Sequence, residues 1–427
     1  MPKKLLSIVC ATFFLCNVAC AQEEINAPVF SFDGFATFGL AHSSEEKADF
    51  LANDLQGRGA GLGRKWSPDV DSRIGGQVSA TFTPQLSAVL QVIAEQRADT
   101  SYRPQVEWGN IKYNFTPDLS VRLGRVVLAS FLQSDSRKVS YAQPWVRPPV
   151  EVYGLVPVTN SDGVDLSYRQ RVGDASHNLQ FAYGGASANV PGGGKVTAKD
   201  AWLLADTVEY GAATLHVAYS QSKISIEQFA TLFNGYRQFA TNPAVVAFAP
   251  QAAAQANALT NQYEPENRLF SFLSLGGSYD PGNWFVMGEW GQTDSRSVFG
   301  KREAWYATGG YRLGKLTPYL SYAEAKLKSA QSDPGVTAIP SGAPFSTLRA
   351  NAALLNGALN EQLSGAPIQK TISVGMRWDF ARNTALKLQY DHSRLGRGSP
   401  GTLDHALPSF VPGGSFSVFS ATLDFVF

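Results

Sequence analysis

The sequence predicts an all-β fold, a sixteen-stranded antiparallel transmembrane barrel, on three observations. From about Phe30 onward, segments of roughly 9–13 residues alternate apolar and polar side chains, the period of a strand with two unlike faces. Short turns rich in Pro, Gly, Asn and Asp alternate with longer polar segments. Aromatic residues gather where the strands meet the short turns.

The alternation is clearest in Val70–Phe82. Val70, Ile74, Val78, Ala80 and Phe82 form an apolar face, and Asp71, Arg73, Gln77, Ser79 and Thr81 a polar one. Strands of a soluble sandwich are usually about 5–6 residues, whereas a tilted transmembrane strand needs about 9–11. The tight turns are read at Thr83-Pro84-Gln85, Thr116-Pro117-Asp118, Gly173–Ser176, Tyr210–Ala213, Asp280–Asn283, Leu313–Lys315 and Ala381–Asn383. Eight longer segments lie between them, near 43–69, 98–104, 132–161, 188–200, 222–267, 294–302, 328–368 and 395–412. Seven turns and eight loops join sixteen strands and leave both termini on the short-turn side. Phe82, Phe115, Tyr168, Tyr210, Trp284, Tyr311, Trp378 and Phe380 border short turns, as residues of an interfacial girdle do.

Composition narrows the function. Charged residues make up 17% of the 427, with 36 basic against 35 acidic, which gives no bulk attraction for nucleic acid. No stretch after the first 21 residues approaches the roughly 20 apolar residues of a membrane-spanning helix. Residues 1–21 read as a secretory signal: Lys3 and Lys4, an apolar run from Leu5 to Val18, then Ala19-Cys20-Ala21 as a cleavage site. The mature domain is expected to span 22–427, starting at Gln22. A lipid-modified Cys20 is the alternative, disfavoured by Asn17 where an aliphatic residue is wanted. Cys10, Cys16 and Cys20 all fall in the leader, so the mature domain is expected to lack disulfides and thiolate metal sites.

At the C-terminus Phe419, Ala421, Leu423, Phe425 and Phe427 share one parity and Ser420, Thr422 and Asp424 the other. This ending resembles the signal by which the barrel-assembly machinery recognises outer-membrane barrels, Phe427 being the recognised residue. Pairing with the first strand, Phe30 to Leu40, closes the sheet and removes its edges.

With a leader, no mature cysteine, sixteen alternating strands and a terminal Phe, the chain resembles the general porin superfamily of Gram-negative outer membranes. The resemblance spans the mature chain as a pattern, without a short diagnostic motif. It implies a homotrimer of water-filled channels, set among lipid and lipopolysaccharide, that pass small hydrophilic solutes or ions passively. It also implies that the third loop, after a strand from Leu119 to about Phe131, folds inward as a constriction.

That candidate loop, 132–161, holds Asp135, Arg137, Lys138, Tyr141, Trp145, Arg147, Glu151 and Tyr153 among several prolines. Carboxylates are few, which departs from an acidic constriction and argues against simple cation preference. Its proline density predicts a stiff loop. The polar parity sends Arg73, Arg97, Lys112, Arg122, Arg169, Arg171, Arg312, Arg377 and Lys387 into the lumen. Asp71, Glu95, Asp165, Glu289, Asp379, Asp391 and Asp424 join them. Arg125 breaks parity after Gly124, as at a bulge or rim. Luminal arginines favour anions, and they also pair with luminal acids to hold wall and loop together. Both readings stand at this stage.

No catalytic, cofactor or metal site is expected. Pro191-Gly-Gly-Gly-Lys195 lacks the Gly and the Ser or Thr of a phosphate loop, having Asn189 and Val196 there. His42, His177, His216, His392 and His405 lack metal-ligand spacing. A luminal His216 acting with a serine is the lipase alternative. A structural anchor or adhesin working through the long loops is the other. The Ala- and Gln-rich run Thr241–Thr260 predicts a short helix, as does Ala350–Ala358, both read as external decoration or contacts between protomers.

Overall fold

The computed structural model describes residues 27–427. The expected leader, its cysteines and Gln22 lie outside the described residues. Sixteen long strands form the barrel. The first four are β1 (Val29–Ser43), β2 (Arg73–Thr81), β3 (Leu86–Glu95) and β4 (Gln105–Asn114). Then come β5 (Leu119–Val127), β6 (Asn160–Val172), β7 (Ala175–Asn189) and β8 (Lys195–Tyr210). β9 (Ala213–Ile226), β10 (Arg268–Tyr279), β11 (Trp284–Ser295) and β12 (Lys301–Tyr311) follow. The last are β13 (Leu316–Leu327), β14 (Gln369–Ala381), β15 (Thr384–Leu395) and β16 (Ser415–Val426). Each pairs antiparallel with its sequence neighbours, and β1 closes the sheet on β16 with Phe35 opposite Val426. A two-residue extra strand, Trp66–Ser67, joins the sheet beside β1.

Closure is completed by main chain. The Gly34 N–H donates to the Phe427 carbonyl at 2.7 Å, and the Phe427 N–H returns a bond to Gly34 at 3.0 Å. A Cβ on Gly34 would stand 2.3 Å from the Phe427 ring, so glycine there makes room for the terminal aromatic.

All seven short turns fall where breakers were read. Two of the longer segments are smaller than expected. β7 and β8 run on to a tip at 190–194, since Ala186–Asn189 pair with Lys195–Ala198, and 294–302 shrinks to the turn 296–300. Gly192, Gly193 and Gly194 all have positive φ at the first tip, a conformation glycine alone adopts readily. Hydrogen bonding of two adjacent strands therefore overrides the Gly-rich loop signal.

Outward parity is apolar: Phe32, Phe38, Ile74, Ile111, Leu123, Leu204 and Leu320 are exposed on the barrel exterior. The eight girdle aromatics are likewise all exposed. Val70 differs from its expected lipid-facing place. β2 begins only at Arg73, and Val70 is buried under the first loop with Ala41, Phe50 and Phe416.

The external face carries folded loops. Asp49–Phe50, Ala60–Gly61 and Leu403–Asp404 form a small three-stranded sheet joining the first loop to the last. Besides the one-turn α1 (Val150–Tyr153), helices occupy the fifth and seventh loops: α2 (Ala230–Thr241), α3 (Pro243–Phe248), α4 (Pro250–Tyr263) and α5 (Ser346–Ser364). They exceed both runs that predicted helix. Phe233, Tyr236, Phe239, Leu259, Leu359 and Leu363 give this cap its own apolar core.

Candidate functional site

The third long loop, 128–159, crosses the barrel interior and is fastened to one wall. Phe131, Trp145 and Tyr153 pack with Phe272, Phe285, Tyr306 and Tyr319 from β10 to β13. Trp145 Nε1 donates to Thr308 at 3.1 Å. Glu289 collects the Tyr153 hydroxyl at 2.5 Å, the Tyr306 hydroxyl at 2.9 Å and the Leu132 N–H at 2.7 Å. Every oxygen of this buried carboxylate thus has a donor, the condition for keeping a polar group inside.

Charged anchors complete the attachment. Arg147 is buried and grips Asp71 through two parallel bonds, reaching Asp391 and Ser420 as well. Its guanidinium lies 5.1 Å from the Phe50 ring centroid. Lys387 donates to the Ser140 carbonyl and to the Trp145 carbonyl, and lies 3.0 Å from Asp424. Arg377 donates to the carbonyls of Tyr141 and Gln143 and stacks over the Tyr141 ring. Glu151 accepts from Gln369 and Thr371; burial pushes its carboxyl up, against those two hydrogen bonds.

With the loop fixed on this side, open space remains along the wall of β2 to β7. On the external side a cavity of about 390 Å³ is bordered by Arg73, Arg97, Arg137, Lys138 and Lys195, with Glu95 and Glu107. On the short-turn side a wider opening of about 790 Å³ is bordered by Lys112, Arg122 and Arg169, with Asp118 and Asp135.

These charges differ in their freedom. Glu95 bridges Lys138 and Arg73, and Arg122 meets the buried Asp165 at 2.8 Å. Arg125 pairs with Asp162 through two 2.7 Å bonds, next to Gly124 with φ of 126°. Arg137 donates to the carbonyls of Tyr153 and Val156. Burial pulls it down to about 10, which leaves it cationic at neutral pH. Asp135 is pushed up by burial, with Arg122 opposing. Arg97, Lys112, Arg137 and Arg169 have no carboxylate within ion-pair distance among the described residues. Arg171 lies exposed at the short-turn rim, where Arg312 pairs with Asp280.

Of the site residues expected from sequence, Arg73, Arg97, Lys112, Arg122, Arg125, Arg137, Arg169 and Asp135 border the two openings. Trp145 and Glu151 are buried in the attachment, together with most of Arg147, and Tyr141 sits under Arg377. Glu107 was not anticipated: it occupies a register shift between β3 and β4 and accepts from Thr159, and an irregular register breaks the parity that would have revealed it. His216 is hydrogen-bonded to Thr207 at 3.0 Å inside the barrel.

No protein-family model matches the sequence, and no curated protein matches it. The fold is found in solved structures. The anion-selective porin from Comamonas acidovorans aligns with a TM-score of 0.51 at 12% identity, over 94% of this chain and 100% of that one. The outer membrane channel DcaP of Acinetobacter baumannii gives 0.54 at 11%, covering 93% and 98%. Salmonella typhi OmpF in complex with daunomycin gives 0.52 at 14%, covering 93% and 97%. Closed by sixteen strands and crossed by its third loop, the chain has the porin-like fold of Gram-negative outer membranes.

Proposed function

We propose that the protein is a passive outer-membrane channel for small hydrophilic solutes with a preference for anions. One observation carries the preference: Arg97 and the loop's own Arg137 on the external side, and Lys112 and Arg169 on the short-turn side, border the openings without carboxylate partners among the described residues. Guanidinium groups replace part of the hydration an anion loses in a narrow pore. The carboxylates facing them without a cation are Asp118, Asp135 and Glu107, the last already hydrogen-bonded to Thr159, so three face four cations among the described residues.

Reversal potentials across a planar bilayer in a KCl gradient test this. A potential of the sign set by chloride permeation is expected, and one set by potassium rejects the preference. An absence of reproducible conductance steps rejects the channel and favours the anchor reading.

The same proposal takes the chain as exported, cleaved after Ala21, assembled through Phe427 and trimeric in lipid and lipopolysaccharide. The mass of the purified N-terminus and cross-linking in native membranes test these parts separately.

A further inference from the structure

On the inner side of β7 to β10 the polar alternation fails. Ala186, Val196, Ala198, Ile224, Ile226 and Phe270 border one cavity of about 200 Å³. Inward positions of a water-filled barrel are ordinarily polar, and apolar surface left against water is costly in proportion to its area. Leu155, Val156 and Pro157 of the third loop face the same space. Leu155 and Val156 pack on the buried aromatic cluster, so that side of the cavity is held in place. A cavity of roughly 150 Å³ accepts benzene, and this one has room for a ring.

Among the described residues one cation, Arg302, borders the cavity. Its Nε donates to the Phe299 carbonyl at 3.3 Å, and its guanidinium lies 5.1 Å from the Phe299 ring centroid. Among the described residues no carboxylate lies within ion-pair distance of it. Asp54 also borders the cavity, beyond ion-pair distance of the guanidinium. An unpaired guanidinium beside apolar surface is a receptor for an anion, since a carboxylate would supply the charge-assisted bonds it lacks. Pro157 and Val158 also border the larger cavity that carries Arg97 and Arg137, so a molecule held here lies beside the open path.

We infer that this cavity is a binding subsite for organic monoanions with a compact apolar body, of which aromatic carboxylates are the fitting class. The ring lies among Ala198, Ile224 and Phe270, and the carboxylate meets Arg302. The inference rests on the channel reading and names the solute class that the channel retains.

The test is block of the KCl current through single channels of the full-length mature protein by 3-phenylpropionate, with acetate and benzyl alcohol as comparators. Phenylpropionate is expected to halve the current at a concentration at least about tenfold below either comparator. Ala198→Phe, which fills the pocket, and Arg302→Gln, which removes the charge, are each expected to abolish that tenfold difference. Heat-modifiable migration on a gel reports that each variant is folded. Equal block by phenylpropionate and acetate in the wild-type channel overturns the subsite while the conductance steps keep the channel. A difference that survives in both folded variants overturns it too. A wild-type protein with no conductance steps overturns the channel and the subsite together.

Discussion

Arg147 of the third loop and Asp71, in the turn that leads into β2, form a bidentate pair, with Nε donating to Oδ1 at 2.8 Å and Nη2 donating to Oδ2 at 2.6 Å. Both side chains are almost completely buried, at 4% and 1% exposure. The pair acts as a clamp, since Asp391 and Ser420 occupy further donors of the same guanidinium. Removing one partner of a buried pair leaves an uncompensated charge and costs about 3–5 kcal/mol. Arg147→Ala is therefore expected to lower unfolding stability by that order and to raise open-channel noise as the loop loosens. Arg147→Lys should not restore either property, because an ammonium cannot reproduce the forked geometry. Urea unfolding in detergent and single-channel recordings check this; wild-type noise in the alanine variant would contradict the clamp.

Selectivity should follow unpaired charge rather than the number of arginines. Arg97 has no carboxylate partner, whereas Arg125 and Asp162 cancel each other across one register position. At about 5 Å in water a unit charge is worth roughly 0.8 kcal/mol, an upper bound near fourfold in permeability that salt reduces. Arg97→Gln is expected to lower the chloride-to-potassium permeability ratio by up to about that factor. The double change Arg125→Gln with Asp162→Asn should leave the ratio unaltered, because the pair sums to no charge. Reversal potentials of the two proteins in the same gradient give the comparison directly.

The terminal residue makes a prediction about assembly. Phe427 supplies both closing main-chain bonds to Gly34 and lays its ring over that glycine. Deleting Phe427 removes both bonds and reopens an edge next to β1. The fraction of heat-modifiable barrel in isolated outer membranes is expected to fall. Gly34→Leu is expected to act in the same direction by displacing the ring, although the C-terminal carboxylate and sequence remain. Full assembly of both variants would show that closure does not depend on this contact.

How much of this was legible in the sequence depends on which solvent each position faces. Leu123 and Leu320 stand exposed on the outside of the barrel, where one parity is apolar, so the outer parity reads directly. Thr83-Pro84 and Asp280-Pro281-Gly282 are likewise legible, because tight turns depend on local backbone chemistry. The inner parity carries less information, since it meets either water or another part of the chain. Phe35 points inward across Gly75, Val70 lies under the first loop, and Ala198 faces an apolar cavity. In the third loop, Arg137 and Arg147 look alike in sequence. Their difference is set by Asp71, Asp391 and Ser420, which lie 76, 244 and 273 residues from Arg147. No local pattern encodes contacts at such separations.

The contact between the first and last loops is expected to depend on pH. His405 Nδ1 lies 3.5 Å from Asp49, beside the short pairing of Leu403 with Phe50. The hydrogen bond to Asp49 raises His405, against desolvation. Burial acts to raise Asp49, but the bonds from His405 and Gly63 outweigh it and hold the carboxyl below its ordinary value. A histidine with a raised folded value stabilises the contact fully below its unfolded value of about 6.5, and loses that effect as pH climbs through the folded value. An aspartate with a lowered value stabilises above about 3.9 and loses the effect as pH falls through its folded value. The contact is thus strongest near pH 5 to 6 and weakens toward pH 8. Amide exchange at Leu403–His405, corrected for intrinsic rates, is expected to be slower at about pH 5.5 than at about pH 8. His405→Asn should remove most of that difference while leaving exchange in β1 and β16 unaffected, since those strands are held by their own ladder. An unchanged pH response in the asparagine variant would assign the effect to a group other than His405.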